Sequence, residues 1–124
     1  MLLYEMMFYA KLNRKTDKMG LTKENNYNED ELKFSAIAGA FGHPARRRII
    51  DLVLSYNFVR NIDLPNYLNL HQSTVTQHIN CLKKSGLIKC NYHIHFDILY
   101  LDKETLDYFQ ERLQRMSNLH FRET

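Results

Sequence analysis

The sequence predicts an α+β domain, mostly helical, in which a β-hairpin follows a series of short helices and precedes a last one. Three observations predict this class. Apolar residues recur at helical spacing between residues 34 and 82, alternate with other residues between 94 and 100, and return to helical spacing from residue 106. A length of 124 residues, with 44% hydrophobic and 25% charged residues, suits one domain with a modest core.

The first 28 residues are expected to form an arm outside that domain. Residues 1–10 are apolar but contain Glu5, lack a basic leader, and are too few to cross a bilayer, which takes about 20 apolar residues. They predict a short packing helix, with no secretion and no membrane contact. Residues 11–28 are polar and aperiodic, as in a linker. The expected organisation is therefore an arm at 1–28, the domain at 29–120 and a tail at 121–124.

Two helices are expected to open the domain. The first begins near residues 28–30, where short polar side chains can cap it, and Gly42 ends it. Its apolar face comprises Phe34, Ile37, Ala38 and Phe41. The second begins at His43-Pro44, because proline lacks the N–H that would have no partner in a first turn. Its apolar stripe comprises Ala45, Ile49, Leu52, Val53 and Tyr56.

A short helix at residues 64–68, a tight connection at 69–72 and a longer helix follow. Val75, Ile79 and Leu82 form one face of that longer helix. It ends at Ser85-Gly86, because glycine adopts the left-handed conformation without a Cβ clash.

Residues 87–92 and 94–101 are rich in β-branched and aromatic residues and predict a two-stranded hairpin. In its second strand the alternating residues are Ile94, Phe96, Ile98 and Tyr100. Asp102 can cap a last helix, whose apolar seam comprises Leu106, Phe109, Leu113 and Met116.

Two helices joined by a tight turn, with a two-stranded ribbon after the second, form a winged helix-turn-helix, a motif that binds double-stranded DNA. A single helix fits the major groove. With its apolar face turned inward, the helix at 72–84 presents hydroxyl and amide side chains, which can bond to bases and phosphates. The sequence predicts a DNA-binding set with three roles. The residues expected to read bases or position the helix are Gln72, Ser73, Thr74, Thr76 and Gln77, and those expected to hold phosphates are Arg46, Arg47 and Lys83. His78 is expected to be packed or to face a phosphate, and the wing residues expected to contact the neighbouring groove are His93 and His95.

Residues 71–88, HQSTVTQHINCLKKSGLI, resemble the recognition helix of the ArsR-type (arsenic-repressor-like) winged helix-turn-helix regulators. Residues 40–50, AFGHPARRRII, are similar to the entry of that family's second helix. The resemblance covers roughly residues 31–119. It implies a homodimer with N- and C-terminal dimerisation helices that binds an inverted-repeat operator and represses transcription. It also often implies release of DNA by a metal or another inducer.

The sequence departs from the family at its metal sites. Where the family has a Cys-x-Cys site, residues 60–62 read Arg-Asn-Ile. The positions of the last-helix site are Lys103, Thr105, Met116 and Leu119, which suit a transition metal poorly. No metal and no cofactor are therefore expected, and the inducer stays open. The wing tip, residues 93–95, is also unusual because it has no glycine and little positive charge.

Several alternatives stay open beside this interpretation. His93 and His95 are two apart on a strand, but two ligands do not complete a zinc site. Cys81 and Cys90 are interpreted as inert thiols of a reducing cytoplasm, with a redox switch as the alternative. A net charge of +3 does not by itself establish a nucleic-acid partner. No catalytic motif indicates an enzyme. The competing function is a winged-helix module that docks another protein.

Overall fold

The computed structural model of the protein describes residues 26–122, with the side chains of residues 26–119. Contacts separate the chain between residues 32 and 33 into two units. The described part of the first unit contains a reciprocal helix cap. The backbone N–H of Glu31 donates to Asn28 Oδ1 over 2.8 Å, and the backbone N–H of Asn28 donates to Glu31 Oε1 over 3.0 Å. The first helix accordingly begins where the sequence predicts.

The described residues form five α-helices, three β-strands and one 3₁₀ turn. In chain order these are α1 (Glu29–Ala40), α2 (Pro44–Tyr56), β1 (Phe58–Arg60), the 3₁₀ turn (Asn61–Asp63), α3 (Leu64–Leu68), α4 (Gln72–Lys84), β2 (Ile88–Tyr92), β3 (Asp97–Leu101) and α5 (Lys103–Arg122). The predicted class, an α+β domain that is mostly helical, is confirmed. α3 has the predicted bounds, and Gly86 follows α4 with a φ of 80°.

The strands form one antiparallel sheet in the order β1-β3-β2. The β2–β3 hairpin is the predicted wing, in which Cys90 pairs with Leu99. β1 was not predicted. It has only three residues, of which Val59 alone is buried. A segment this short does not show an alternation of apolar and polar residues that would predict a strand. Its place is decided by long-range pairing of Val59 with Leu99 on β3.

The predicted start of the second wing strand is wrong. β3 begins at Asp97, and residues 93–96 form the wing turn, closed by a bond of 3.0 Å from the backbone N–H of His93 to the carbonyl oxygen of Phe96. Ile94 therefore lies at the tip, 95% exposed, instead of on a strand face. Tyr56, the last residue of the predicted apolar stripe of α2, lies at the end of that helix and is 62% exposed.

The core lies between the helices and the inner face of the sheet. The largest fully buried side chains are Ile37, Ile49, Ile50, Leu64, Leu82, Leu87, Ile88, Leu99, Val53 and Val75. Each such side chain contributes about 1.5–3 kcal/mol relative to exposure. Two of them belong to α4, so burial orients that helix. Among the described residues, none of the helices is long and apolar enough to cross a membrane.

Candidate nucleic-acid interface

α4 has one buried face and one exposed polar face. Val75, Ile79 and Leu82 are buried, as predicted. The exposed positions that follow the same helical period are Gln72, Ser73, Thr76, Gln77, Asn80 and Lys84. Gln72 Nε2 donates to Thr76 Oγ1 over 3.2 Å, which aligns two polar groups along this face. These side chains remain able to exchange water for the base edges of a DNA groove.

The turn before α4 gives the helix its direction. Asn69 adopts the left-handed conformation, with φ 54° and ψ 49°, and the backbone N–H of Leu70 donates to the carbonyl oxygen of Pro65 over 3.2 Å. Thr74 is half-buried beside this turn, unlike its exposed neighbours on α4. The tight turn and the buried Leu64 and Leu68 of α3 hold the first turn of α4 against the core.

Arg46 connects three helices. Its Nη2 donates to the carbonyl oxygen of Gly39 over 2.8 Å, and its Nε donates to that of Ala40 over 3.3 Å. These carbonyls end α1, where they have no partner within the helix. Its Nη1 lies 3.3 Å from His78 Nδ1 on α4. The structure thus brings two of the predicted site residues, Arg46 and His78, into direct contact, and Arg46 is half-buried there.

Arg47, the next residue on α2, is more exposed than Arg46 and has a different partner. The Arg47 side chain is 65% exposed and pairs with Asp51 one turn later on α2, at 3.0 Å between Nε and Oδ1. An ion pair this exposed contributes about 0–1 kcal/mol. Because so little holds it in place, the Arg47 guanidinium can exchange Asp51 for a phosphate.

Lys83 joins α4 to the wing. Its Nζ donates to the hydroxyl of Tyr92 on β2 over 2.8 Å and lies 5.1 Å from the centre of that ring. The hydrogen bond to Tyr92 raises the pKa of Lys83 above its ordinary value. The sequence showed no sign of this contact, because nine residues and a change from helix to strand separate the two side chains.

His78 and His43 lie side by side near Arg46. Their ring centroids are 4.4 Å apart, at an interplanar angle of 45°. His43 precedes α2, and its Nδ1 accepts from the backbone N–H of Ala45 over 3.0 Å, as an N-cap. Burial, followed by the charges of His43 and Arg46, lowers the pKa of His78 below 6.5. The role of His43 was missed, because histidine is not among the common N-cap residues.

The wing carries His93 and His95, both exposed. The His93 ring stacks on Phe96 at 5.4 Å, and the Arg60 guanidinium lies 5.4 Å from the centre of the same Phe96 ring. At the base of the wing, the backbone N–H of Asp97 donates to Asn61 Oδ1 over 2.9 Å. These contacts fix the base and leave the tip extended into solvent.

The thiols and histidines do not gather into a metal centre in the described part of the chain, where no three of His, Cys, Asp and Glu come together. Cys81 and Cys90 are free and half-buried. Burial, and then the charge of Asp97, raises the pKa of Cys90 above its ordinary value. Its thiol therefore stays protonated near neutral pH, which makes it a poor nucleophile.

The short helix α3, the tight turn, the polar-faced α4 and the β2–β3 hairpin together define a winged helix-turn-helix protein. Residues 43–89 match the family model described as "Bacterial regulatory protein, arsR family". Over these residues the chain is similar to the helix-turn-helix of that family. Comparison with curated protein sequences gives no significant match.

Several solved structures share this fold. A crystal structure of an ArsR family transcriptional regulator has a TM-score of 0.66 at 20% identity, over 72% of this chain and 91% of that one. An ArsR-like transcriptional regulator from Rhodococcus sp. RHA1 has a TM-score of 0.66 at 15% identity, over 75% and 87% of the two chains. HlyU from Vibrio cholerae has a TM-score of 0.57 at 23% identity, over 73% and 97%. At such identities the likeness concerns the fold.

Proposed function

We propose that the protein is a sequence-specific transcriptional regulator that binds double-stranded DNA in the cytoplasm. It acts as a homodimer on an inverted-repeat operator and represses transcription, with no enzymatic reaction and no metal. The observation that carries this proposal is the exposed face of α4, made of amide and hydroxyl groups and backed by a fully buried apolar face, within an ArsR-family segment. The inducer is not specified.

The proposed contacts divide into those that read sequence and those that position the protein. Arg47 binds a phosphate, and Arg46, His78 and Lys83 hold α4 in place. His93 and His95 contact the neighbouring groove from the wing. The base-reading set is the start and middle of α4, with side chains able to bond to base edges: Gln72, Ser73, Thr74, Thr76 and Gln77.

The proposal is tested by fluorescence anisotropy with labelled duplex from the region upstream of the protein's own gene, and with a scrambled duplex, at two salt concentrations. Binding that is tighter to the upstream duplex by about 10³ or more supports a specific regulator. Equal and steeply salt-dependent binding to both duplexes contradicts sequence reading, since it reports phosphate contacts alone.

Gln77 offers the sharpest single-residue test of the reading face. We expect Gln77→Ala to weaken binding to the specific duplex by about 1–3 kcal/mol and to leave binding to the scrambled duplex nearly unchanged. Gln114→Ala is the matched control, because Gln114 is also an exposed glutamine and lies on α5. If Gln77→Ala and Gln114→Ala bind alike, α4 does not read bases through this position.

One observation favours a second function, the docking of another protein. The wing tip presents Ile94, 95% exposed, and has no Lys or Arg between His93 and Phe96. DNA-binding wings need positive charge near phosphates. Heparin chromatography at moderate salt separates the two functions: retention supports a DNA surface, whereas flow-through favours docking.

A further inference from the structure

Three helices meet at one cluster of side chains, the Arg46–His78–His43 cluster. Arg46 bonds to the end of α1 through two carbonyl oxygens and to His78 of α4 through Nη1. The His43 ring lies 4.4 Å from the His78 ring, tilted by 45°, and His43 caps α2. The cluster therefore links α1, α2 and α4 through hydrogen bonds and one ring contact, beside the apolar core.

The hydrogen bonds of the cluster show that the Nδ1 atoms of His78 and His43 carry no proton. A guanidinium carries only donors, so His78 Nδ1 must be an acceptor to bond with Arg46 Nη1. The backbone N–H of Ala45 is also a donor, so His43 Nδ1 must accept as well. Both rings are therefore neutral in the arrangement observed, because an imidazolium has no acceptor nitrogen.

A proton on either ring is incompatible with these contacts. On His78 it would place an N–H against the N–H of Arg46 and a positive charge beside the permanent charge of the guanidinium. On His43 it would end the cap of α2. The groups that face His78 are His43 and Arg46 from α2, and from α1 the carbonyl oxygens that Arg46 holds. Burial, His43 and Arg46 all lower the pKa of His78, so the neutral form of His78 prevails at neutral pH.

We propose that the Arg46–His78–His43 cluster positions the recognition helix α4, and that protonation of the cluster releases α4 and weakens DNA binding in acid. This inference rests on the proposed function. His78 is on α4 directly after Gln77, so a shift of His78 away from Arg46 moves the reading face itself. The effect is a loss of affinity as pH falls, because the DNA-binding arrangement needs both rings neutral.

The sign of this effect distinguishes it from ordinary electrostatics. His71, His93 and His95 are exposed on α4's N-terminal side and on the wing. Protonation of such histidines adds positive charge near phosphates, which strengthens binding to DNA. Without the cluster, DNA affinity should therefore rise as pH falls. With the cluster, it should fall.

The test measures dissociation constants for the specific duplex by anisotropy at about pH 7.5, 6.5 and 5.5, the range over which histidines titrate. For the wild type we expect binding at the lowest pH to be weaker by about fivefold or more, the lower end of ordinary coupling between two sites. His78→Asn keeps an oxygen or nitrogen near the Nδ1 position but cannot be protonated. We expect it to lose this acid weakening and to bind equally or more tightly as pH falls.

His71→Asn is the matched control, because it removes an exposed histidine next to the same helix. It should retain the acid weakening of the wild type. An equal loss of acid weakening in both variants, or a wild type that binds more tightly in acid, would overturn the inference. Specific binding at neutral pH would still support the proposed function in either case.

A measurement without DNA tests the cluster even if no specific duplex is found or the variant does not fold. In NMR spectra of the wild type, the His78 ring should titrate below its ordinary pKa of 6.5. The backbone amide signals of α4, Gln77 included, should shift with the same midpoint, since protonation of His78 breaks its contact with Arg46. Amide signals that stay constant through the titration of His78 would mean that protonation does not move α4.

Discussion

Arg46 and Arg47 are adjacent in the sequence and have the same side chain, yet their surroundings differ. Arg46 is half-buried with its donors directed at α1 and His78, whereas Arg47 is largely exposed and bonds only weakly to Asp51. A half-buried guanidinium that already bonds through all three of its nitrogens gains little from a phosphate. An exposed guanidinium that neutralises one phosphate releases about one counterion from the DNA, which favours binding.

The salt dependence of DNA binding should separate these two arginines. We expect Arg47→Ala to weaken binding to all duplexes alike and to reduce the slope of log affinity against log salt by about 1. Arg46→Ala should weaken specific binding while leaving that slope nearly unchanged, because the residue positions α4 without touching phosphate. Asp51→Ala, which frees Arg47, is the control and should not weaken binding. Equal slopes in Arg46→Ala and Arg47→Ala would contradict this division.

The recognition helix is held at several points along its length. Its first turn follows the α3 turn, its middle contacts Arg46 through His78, and its last turn bonds to the wing through Lys83 and Tyr92. Its inner face is buried through Val75, Ile79 and Leu82. A reading helix must keep its exposed side chains in register with base edges, and several weak polar contacts around an apolar face provide that rigidity.

The Lys83–Tyr92 contact gives a prediction for the wing. Tyr92→Phe keeps the ring beside the Lys83 ammonium but removes the hydrogen bond of 2.8 Å. We expect a loss of about 0.5–1.5 kcal/mol in specific binding, the net contribution of one hydrogen bond, and faster amide exchange in β2. Retention on heparin should not change, because no charge is altered. Tyr56→Phe, at another exposed tyrosine, should have neither effect, and an unchanged exchange rate in Tyr92→Phe would show that the bond does not hold the wing.

At the scale of the whole molecule, α5 has an apolar stripe that the described contacts of a single chain leave exposed. Leu113, Met116 and Leu119 follow each other at steps of three and are 46%, 55% and 48% exposed. Earlier on the same helix, Leu106 and Phe109 are half-buried against the chain's own residues. A stripe of this kind is expected at the interface of the proposed homodimer.

The dimer is tested at Met116. We expect Met116→Glu to place a charge in the interface and to convert the protein to a monomer in analytical ultracentrifugation, with loss of specific binding to an inverted repeat. Asn118→Glu adds the same charge on the opposite side of α5 and should leave the assembly unchanged. A wild type that sediments as a monomer, or a Met116→Glu variant that remains dimeric, would remove this stripe from the proposed interface.

The sequence alone determined the order of the helices, the bounds of α3, the end of α4 and the presence of a wing. It also determined the buried and exposed faces of α4, because helical period and buried apolar area act over a few neighbouring residues. Local signals were also sufficient for the cap at Asn28 and the turn at Gly86. The DNA-contacting residues, the homodimer and the domain boundaries stay predictions.

Only the tertiary structure decided the partners of the charged residues and the edges of the sheet. β1 forms because Val59 pairs with Leu99, forty residues later. Three residues are too few to show the apolar–polar alternation that predicts a strand from sequence. The phosphate contact of Arg46 stays a prediction, and its partners within the chain, which the sequence did not indicate, are Gly39, Ala40 and His78. A long polar side chain bonds to whatever the fold brings within about 3 Å of it. That choice depends on how helices pack, and the spacing of residues along the chain does not contain it.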